Sequence, residues 1–300
     1  MPSSSLQRSA LIVANPIAGR GKGEPAAREL AVGLERAGFD VSLHLTRAAG
    51  DGEEAAAKFG RAAELVVSVG GDGTLREVLA GLASAAADPR VAALPFGTAN
   101  VLGRDLNLPR EASGLLELIA GGNTVSLDVA DVNGKLSFLC VGIGPDAEMV
   151  QAVDDARDGP IGFRHYIYSV FALFKQPRRR NLRVELDGET LPGSFGFVLA
   201  SNLIHYGGLF RLGAERRLGD GKFEVYLFER ASVPALALYA LRAYFGRLPG
   251  GSCTMRRASD IRVEADPPAA YQIDGDPGGE TPVQINVTDR RVRLCAPERT

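Results

Sequence analysis

The pentapeptide Gly70-Gly71-Asp72-Gly73-Thr74 constrains this chain most. It follows an apolar run at 65–69 and precedes a stretch of helical spacing at 75–82. A buried strand therefore ends in a glycine turn that opens a helix. Glycines let backbone N–H groups approach phosphate oxygens closely, and a helix N-terminus carries a partial positive charge. An Asp in such a loop repels a bare phosphate. It fits where Mg²⁺ stands between them, or where it takes a proton from a hydroxyl. The alternative is an ordinary glycine turn with Asp72 as a helix cap.

Strand and helix patterns alternate on both sides of this loop. Strands are expected at 10–14, 41–46, 65–69 and 91–94, with helices at 24–37, 53–59, after Thr74, and at 111–120. Alternating βα units argue for a parallel sheet covered by helices on both faces, with ligands beyond the carboxyl ends of the strands. Two further loops follow strands. Residues 15–23 combine Asn15, Pro16 and Gly19 with Arg20 and Lys22, and either cradle nucleotide phosphates or form an exposed turn. This is no Walker loop, because Gly23 follows Lys22. In residues 95–100, Gly97, Thr98 and Asn100 offer a hydroxyl and an amide to ribose, base or phosphate, or cap a turn.

Beyond about residue 125 strand patterns dominate: 126–132, 136–141, 182–186, 195–200, 223–228, 261–264, 270–273, 283–287 and 292–294. Helices are expected at 161–175 and 233–245. The fold class is thus α/β: an N-terminal parallel nucleotide-binding domain over 9–125, and an antiparallel, sandwich-like β domain over 126–295. Asp128, at the junction, is either a metal ligand or a hairpin Asp. Gly142-Ile143-Gly144-Pro145-Asp146 leads into a helix, with Asp146 as cap or on the acceptor side. Asp274-Gly275-Asp276 is either an acidic site or an ordinary hairpin turn.

Composition closes off other classes. A net charge of −2 over 300 residues gives no basic field for nucleic acid. Three scattered cysteines and three histidines lack metal-ligand spacing, and the thiols read as reduced and cytosolic. The polar N-terminus lacks the apolar core of a secretion signal, and no apolar run is long enough to span a bilayer. Apolar residues beside cations at 163–180 and 235–257 either dock on a membrane surface or pack inward.

Taken in order, these motifs resemble the diacylglycerol kinase catalytic-domain family, which includes bacterial lipid kinases and sphingosine kinases. The resemblance runs from Leu11 to Leu294. Its elements are the Asn15-Pro16 loop with Gly19, the loop at 70–74, Gly97-Thr98-Ala99-Asn100, Gly142-Ile143-Gly144 with Asp146-Ala147, Ser201-Asn202 with Gly207-Gly208, Asp220-Gly221, and Asp274-Gly275-Asp276. It implies a cleft between two domains for ATP and Mg²⁺, and γ-phosphoryl transfer to a lipid hydroxyl in the cytoplasm, at the inner face of the membrane. Diacylglycerol, a sphingoid base, a glycerophospholipid and a polyprenol are all open as acceptors, and a homodimer is open as well. It places Asp72, Thr74, Asn15 and Thr98 on the nucleotide and metal side. Asp128, Asp220 and Asp276 are candidate metal ligands. Asp274 is the expected base, with Asp72 as competitor. Two positions depart from the family pattern: Asp276 stands where relatives carry Glu, and Gly219 where many carry the first Asp of Asp-Asp-Gly. The competing functions are NAD kinase, whose Asn-Glu motif is not found downstream, and a regulator without catalysis.

Overall fold

The computed structural model describes residues 8–155, 181–208, 210–213 and 217–298. The chain divides into two compact units, Met1–Leu127 with Val292–Thr300, and Asp128–Arg291.

In the first unit the strands β1 (Arg8–Ala14), β2 (Phe39–Leu45), β3 (Leu65–Gly70) and β4 (Arg90–Pro95) lie parallel in the order β2-β1-β3-β4. The helical segments are α1 (Ala18–Gly21), α2 (Gly23–Arg36), α3 (Asp51–Phe59), α4 (Asp72–Ser84), α5 (Val101–Asp105) and α6 (Ala112–Gly121). Ile12, Val13, Val66 and Val67 are wholly buried, as a sheet covered on both faces requires. Ala27, Leu30 and Leu34 place the apolar stripe of α2 on that core, together with Leu115 of α6.

The second unit is antiparallel. β5 (Thr124–Val132) leads into it, followed by β6 (Lys135–Ser137), β7 (Cys140–Ile143), α7 (Pro145–Asp155), β8 (Leu182–Leu186), β9 (Glu189–Thr190), β10 (Phe197–Ser201), β11 (His205–Tyr206) and β12 (Phe210–Arg211). Then come β13 (Phe223–Phe228), α8 (Val233–Tyr244), β14 (Cys253–Ala258), β15 (Asp260–Ala265), β16 (Ala270–Ile273), β17 (Asp276–Glu280) and β18 (Val283–Cys295). One sheet runs β14-β13-β10-β7-β16-β17. A second set, β18-β15-β8-β9, faces it through a shared core. Val141, Val198 and Val225 of the first meet Val184, Val263 and Ile285 of the second there, which makes this unit a sandwich.

Four expectations change. The strand expected at 136–141 breaks at Phe138 and Leu139, whose amides are drawn to a carboxylate described below. The strands expected at 283–287 and 292–294 are one strand, β18. Its end belongs to the first unit, where Arg293 and Leu294 pair in parallel with Arg90 and Val91 and Cys295 enters that core. Residues 292–295 therefore leave the β domain expected over 126–295. β17 escaped notice because Pro277, Gly278 and Gly279 read as turn; Gly278 is needed, since a Cβ there would lie 2.3 Å from the Tyr271 ring. The helix expected at 161–175 lies outside the described residues.

Candidate functional site

β1 has β2 on one side and β3 on the other, so the strand order reverses between β1 and β3. Open α/β sheets bind ligands beyond the carboxyl ends of the strands at such a reversal. Asn15 and Gly71 lie there. Backbone bonds tie the loops after these strands together: Asn15 N–H donates to Val69 O at 2.9 Å, and Phe96 N–H to Gly70 O at 2.7 Å.

Close backbone approach explains two glycines. A Cβ on Gly97 would lie 2.6 Å from Gly71 Cα, and one on Gly71 3.0 Å from Gly97 Cα. Thr74 packs over Gly70, its Oγ1 2.4 Å from where a Cβ would stand there. Gly71 precedes α4 with extended backbone, so the amides of Asp72, Gly73 and Thr74 form the helix N-terminus. Asn100, buried and left-handed at φ +47, both accepts from Gly97 N–H and donates to Gly97 O at 2.7 Å. Asp72 Oδ2 accepts Val101 N–H at 3.2 Å, which joins the glycine loop to α5. Asn15 Oδ1 closes the first loop on Ile17 N–H at 3.2 Å, with Pro16 between them. Gly19 (φ +62) rests on the Phe96 ring, and Arg20 is exposed beside it. Asn15, Gly19, Gly70–Thr74, Gly97, Thr98 and Asn100 thus belong to one cluster of loops.

The acidic residues of the second unit have other duties. Asp128 is fully buried, and three donors occupy it: Gly219 N–H on Oδ2 at 2.7 Å, Gly221 N–H on Oδ1 at 3.0 Å, and Arg291 Nε on Oδ1 at 2.7 Å. It clamps the 219–221 turn. Gly219 carries φ +76, a conformation that an Asp there would adopt only with strain. Asp220 pairs with Arg257 and accepts Lys222 N–H. Among the described residues, no three His, Cys, Asp or Glu side chains gather as a metal cage. A Mg²⁺ arriving with nucleotide needs only one or two carboxylates besides phosphates and water, and Asp72 at the glycine loop fits that demand.

Asp274 and Gly275 form the β16–β17 turn, with φ +51 and +91. The Asp274 carboxylate accepts four bonds: Oδ1 from Ser137 Oγ (2.7 Å), Leu139 N–H (2.9 Å) and Cys140 N–H (2.9 Å), and Oδ2 from Phe138 N–H (2.8 Å). Burial pushes its pKa up, while these donors pull it down. Asn202 holds the same loop by its carbonyls, donating to Phe138 O and Leu139 O. Asp274 thus clamps this loop, and Asp276, at the head of β17, is the half-buried carboxylate of the turn.

A cavity of about 220 Å³ in the second unit went unread in the sequence. Phe197, Phe228, Leu236, Tyr239 and Leu248 make it apolar, with Asp146 as its polar corner. The Asp146 carboxylate accepts from Tyr206 Oη and from Gln272 Nε2 (2.9 Å), and burial pushes its pKa up. The wall residues come from β10, β13, α8 and the loop after it, too far apart in sequence to show as a motif.

Comparison with known proteins agrees with both units. Residues 9–132 match the diacylglycerol kinase catalytic domain, and residues 139–296 match the YegS C-terminal NAD kinase beta sandwich-like domain. A diacylglycerol kinase of Staphylococcus haemolyticus is 26% identical, covering 98% of this chain and 89% of its own. One of Staphylococcus aureus strain MRSA252 is 24% identical, covering 97% and 93%. A crystal structure of a diacylglycerol kinase from Bacillus anthracis strain Sterne superposes with a TM-score of 0.77 at 24% identity, over 98% of each chain. The chain belongs to the diacylglycerol kinase catalytic-domain family, with a YegS-like C-terminal domain. Its class is that of the lipid kinases.

Proposed function

We propose that this protein transfers the γ-phosphoryl group of ATP to a lipid hydroxyl, with diacylglycerol the leading acceptor. The observation that carries this is the backbone contact of Gly71 and Gly97. It brings the amides at the N-terminus of α4 and the 95–100 loop together beside the strand-order reversal. Those amides and Arg20 suit phosphate oxygens; Asn15, Thr98 and Asn100 suit the rest of the nucleotide. Mg²⁺ bound with ATP supplies charge neutralisation, and Asp72 is the carboxylate to hold it.

The acceptor oxygen attacks the γ-phosphorus in line. A new P–O bond forms, the bond to the β-γ bridging oxygen breaks, and ADP leaves. Asp276 takes the hydroxyl proton, since the oxygens of Asp274 already hold four donors. The apolar cavity suits an acyl chain, with Asp146 at its polar end. That cavity favours a lipid over NAD as acceptor, although the second domain's family also embraces NAD kinase-like sandwiches.

The test is incubation with γ-labelled ATP, Mg²⁺ and mixed micelles of diacylglycerol, sphingosine, phosphatidylglycerol or undecaprenol, with NAD alongside. Labelled lipid is the expected result. Label in NADP alone, or in nothing, overturns the proposal.

A further inference from the structure

α8 has no polar face. One side, through Leu236, Tyr239, Ala240 and Ala243, lines the apolar cavity. The other carries Leu238, Leu241, Tyr244 and the adjoining Phe245, which are 52, 55, 63 and 62% exposed. They are four of the seven exposed large hydrophobic residues among those described. Leu238, Leu241 and Phe245 are spaced three and four apart, so they form one stripe, with Tyr244 beside it. A helix packed on a water-soluble core ordinarily turns charge outward; this one turns leucine and aromatic rings outward.

The charge around the stripe points to its occupant. From Ala231 to Ser259 the sequence contains Arg242, Arg247, Arg256 and Arg257 and no acidic residue, in a chain of net charge −2. The Arg247 guanidinium lies 5.9 Å from the Phe245 ring centroid, at the C-terminal end of the stripe. Arg256 is exposed, whereas Arg257 is paired with Asp220. Apolar side chains flanked by arginine match a bilayer with anionic headgroups: the hydrocarbon boundary takes the leucines and rings, and the headgroups take the cations.

We propose that the outer face of α8, with Phe245 and Arg247, docks this protein on an anionic lipid surface. The same helix would then touch the bilayer with one side and wall the apolar cavity with the other. The role of the cavity rests on the lipid-kinase proposal; the docking surface does not.

The test is co-sedimentation of the full chain with vesicles of phosphatidylcholine alone or mixed with phosphatidylglycerol. Binding to the mixed vesicles is expected, at least tenfold weaker to neutral ones and weakened by salt. The double variant Leu241→Ser/Phe245→Ser loses it about tenfold, and Arg247→Glu weakens it while leaving the apolar stripe whole. Both keep wild-type phosphorylation of micellar lipid, because none of these side chains lines the cavity. No binding, equal binding to neutral vesicles, or a dimer in sedimentation that the double variant abolishes overturns docking. Labelled lipid without vesicle binding would reject this surface alone. Vesicle binding without labelled lipid would reject the kinase proposal alone.

Discussion

Asp274 and Cys140 bind each other in both directions. Cys140 N–H donates to the Asp274 carboxylate at 2.9 Å, and Asp274 N–H donates to the Cys140 carbonyl at 2.8 Å. The side chain goes on to collect Ser137 Oγ and the amides of Phe138 and Leu139, so one turn residue organises the break between β6 and β7.

Asp274→Ala leaves four donors without their acceptor. Leaving a buried donor unsatisfied costs about 1–3 kcal/mol, so with four of them the variant loses on the order of 4 kcal/mol or more, or fails to fold. Asp274→Asn keeps Oδ1 for three of the donors but turns an amide on Phe138 N–H, and loses roughly 1–2 kcal/mol. Urea unfolding measures both. A stable Asp274→Ala enzyme lacking only turnover would return the base role to Asp274.

Asp276→Asn removes the proposed proton acceptor and lowers kcat by roughly 10²–10⁴. Asp276→Glu retains the carboxylate and activity, with one added methylene of reach. Steady-state kinetics with micellar lipid, beside a melting curve, separates these outcomes.

Gly97→Ala forces a methyl to 2.6 Å from Gly71 Cα, so the two loops proposed to hold nucleotide must part. KM for ATP rises and kcat falls, about tenfold or more in kcat/KM. Far-UV circular dichroism stays that of the wild type, because the sheet beneath is untouched.

Asp146 supplies a pH dependence of stability. Burial raises its pKa, so between the ordinary carboxylate value and the raised one the folded chain binds more protons than the unfolded chain. This group therefore favours folding most at low pH and loses that contribution as pH rises through its folded pKa. Asp146→Asn is neutral throughout. Its Tm relative to wild type is highest near neutral pH, and the difference narrows as pH falls into the carboxylate range. A constant difference would show that Asp146 does not titrate in this way.

The sequence made the parallel strands legible because each is a short, fully apolar run ending in a turn. Asp274-Gly275 could be read as a hairpin, but its grip on residues 137–140 could not: the partners are some 135 positions apart, and an Asp in a turn looks the same whether its carboxylate meets solvent or amides. The bonds of Asp128 to Gly219, Gly221 and Arg291 could not be read for the same reason, since distant partners leave no local trace. β18 carries Asp289, Arg290 and Arg291 in its middle, and this charge run reads as a turn between two strands. The glycine loops of the first unit were legible because close backbone approach admits glycine alone.

If the loop at Gly70–Thr74 works on ATP for phosphoryl transfer to lipid, Asp72 is the side chain whose loss must show it. Wild type and Asp72→Ala, compared for ATP binding and for labelled diacylglycerol formed from γ-labelled ATP and Mg²⁺, test it most directly. Labelled lipid is expected from the wild type, and at least a hundredfold less from a folded Asp72→Ala variant. Near wild-type lipid phosphorylation by Asp72→Ala would contradict it.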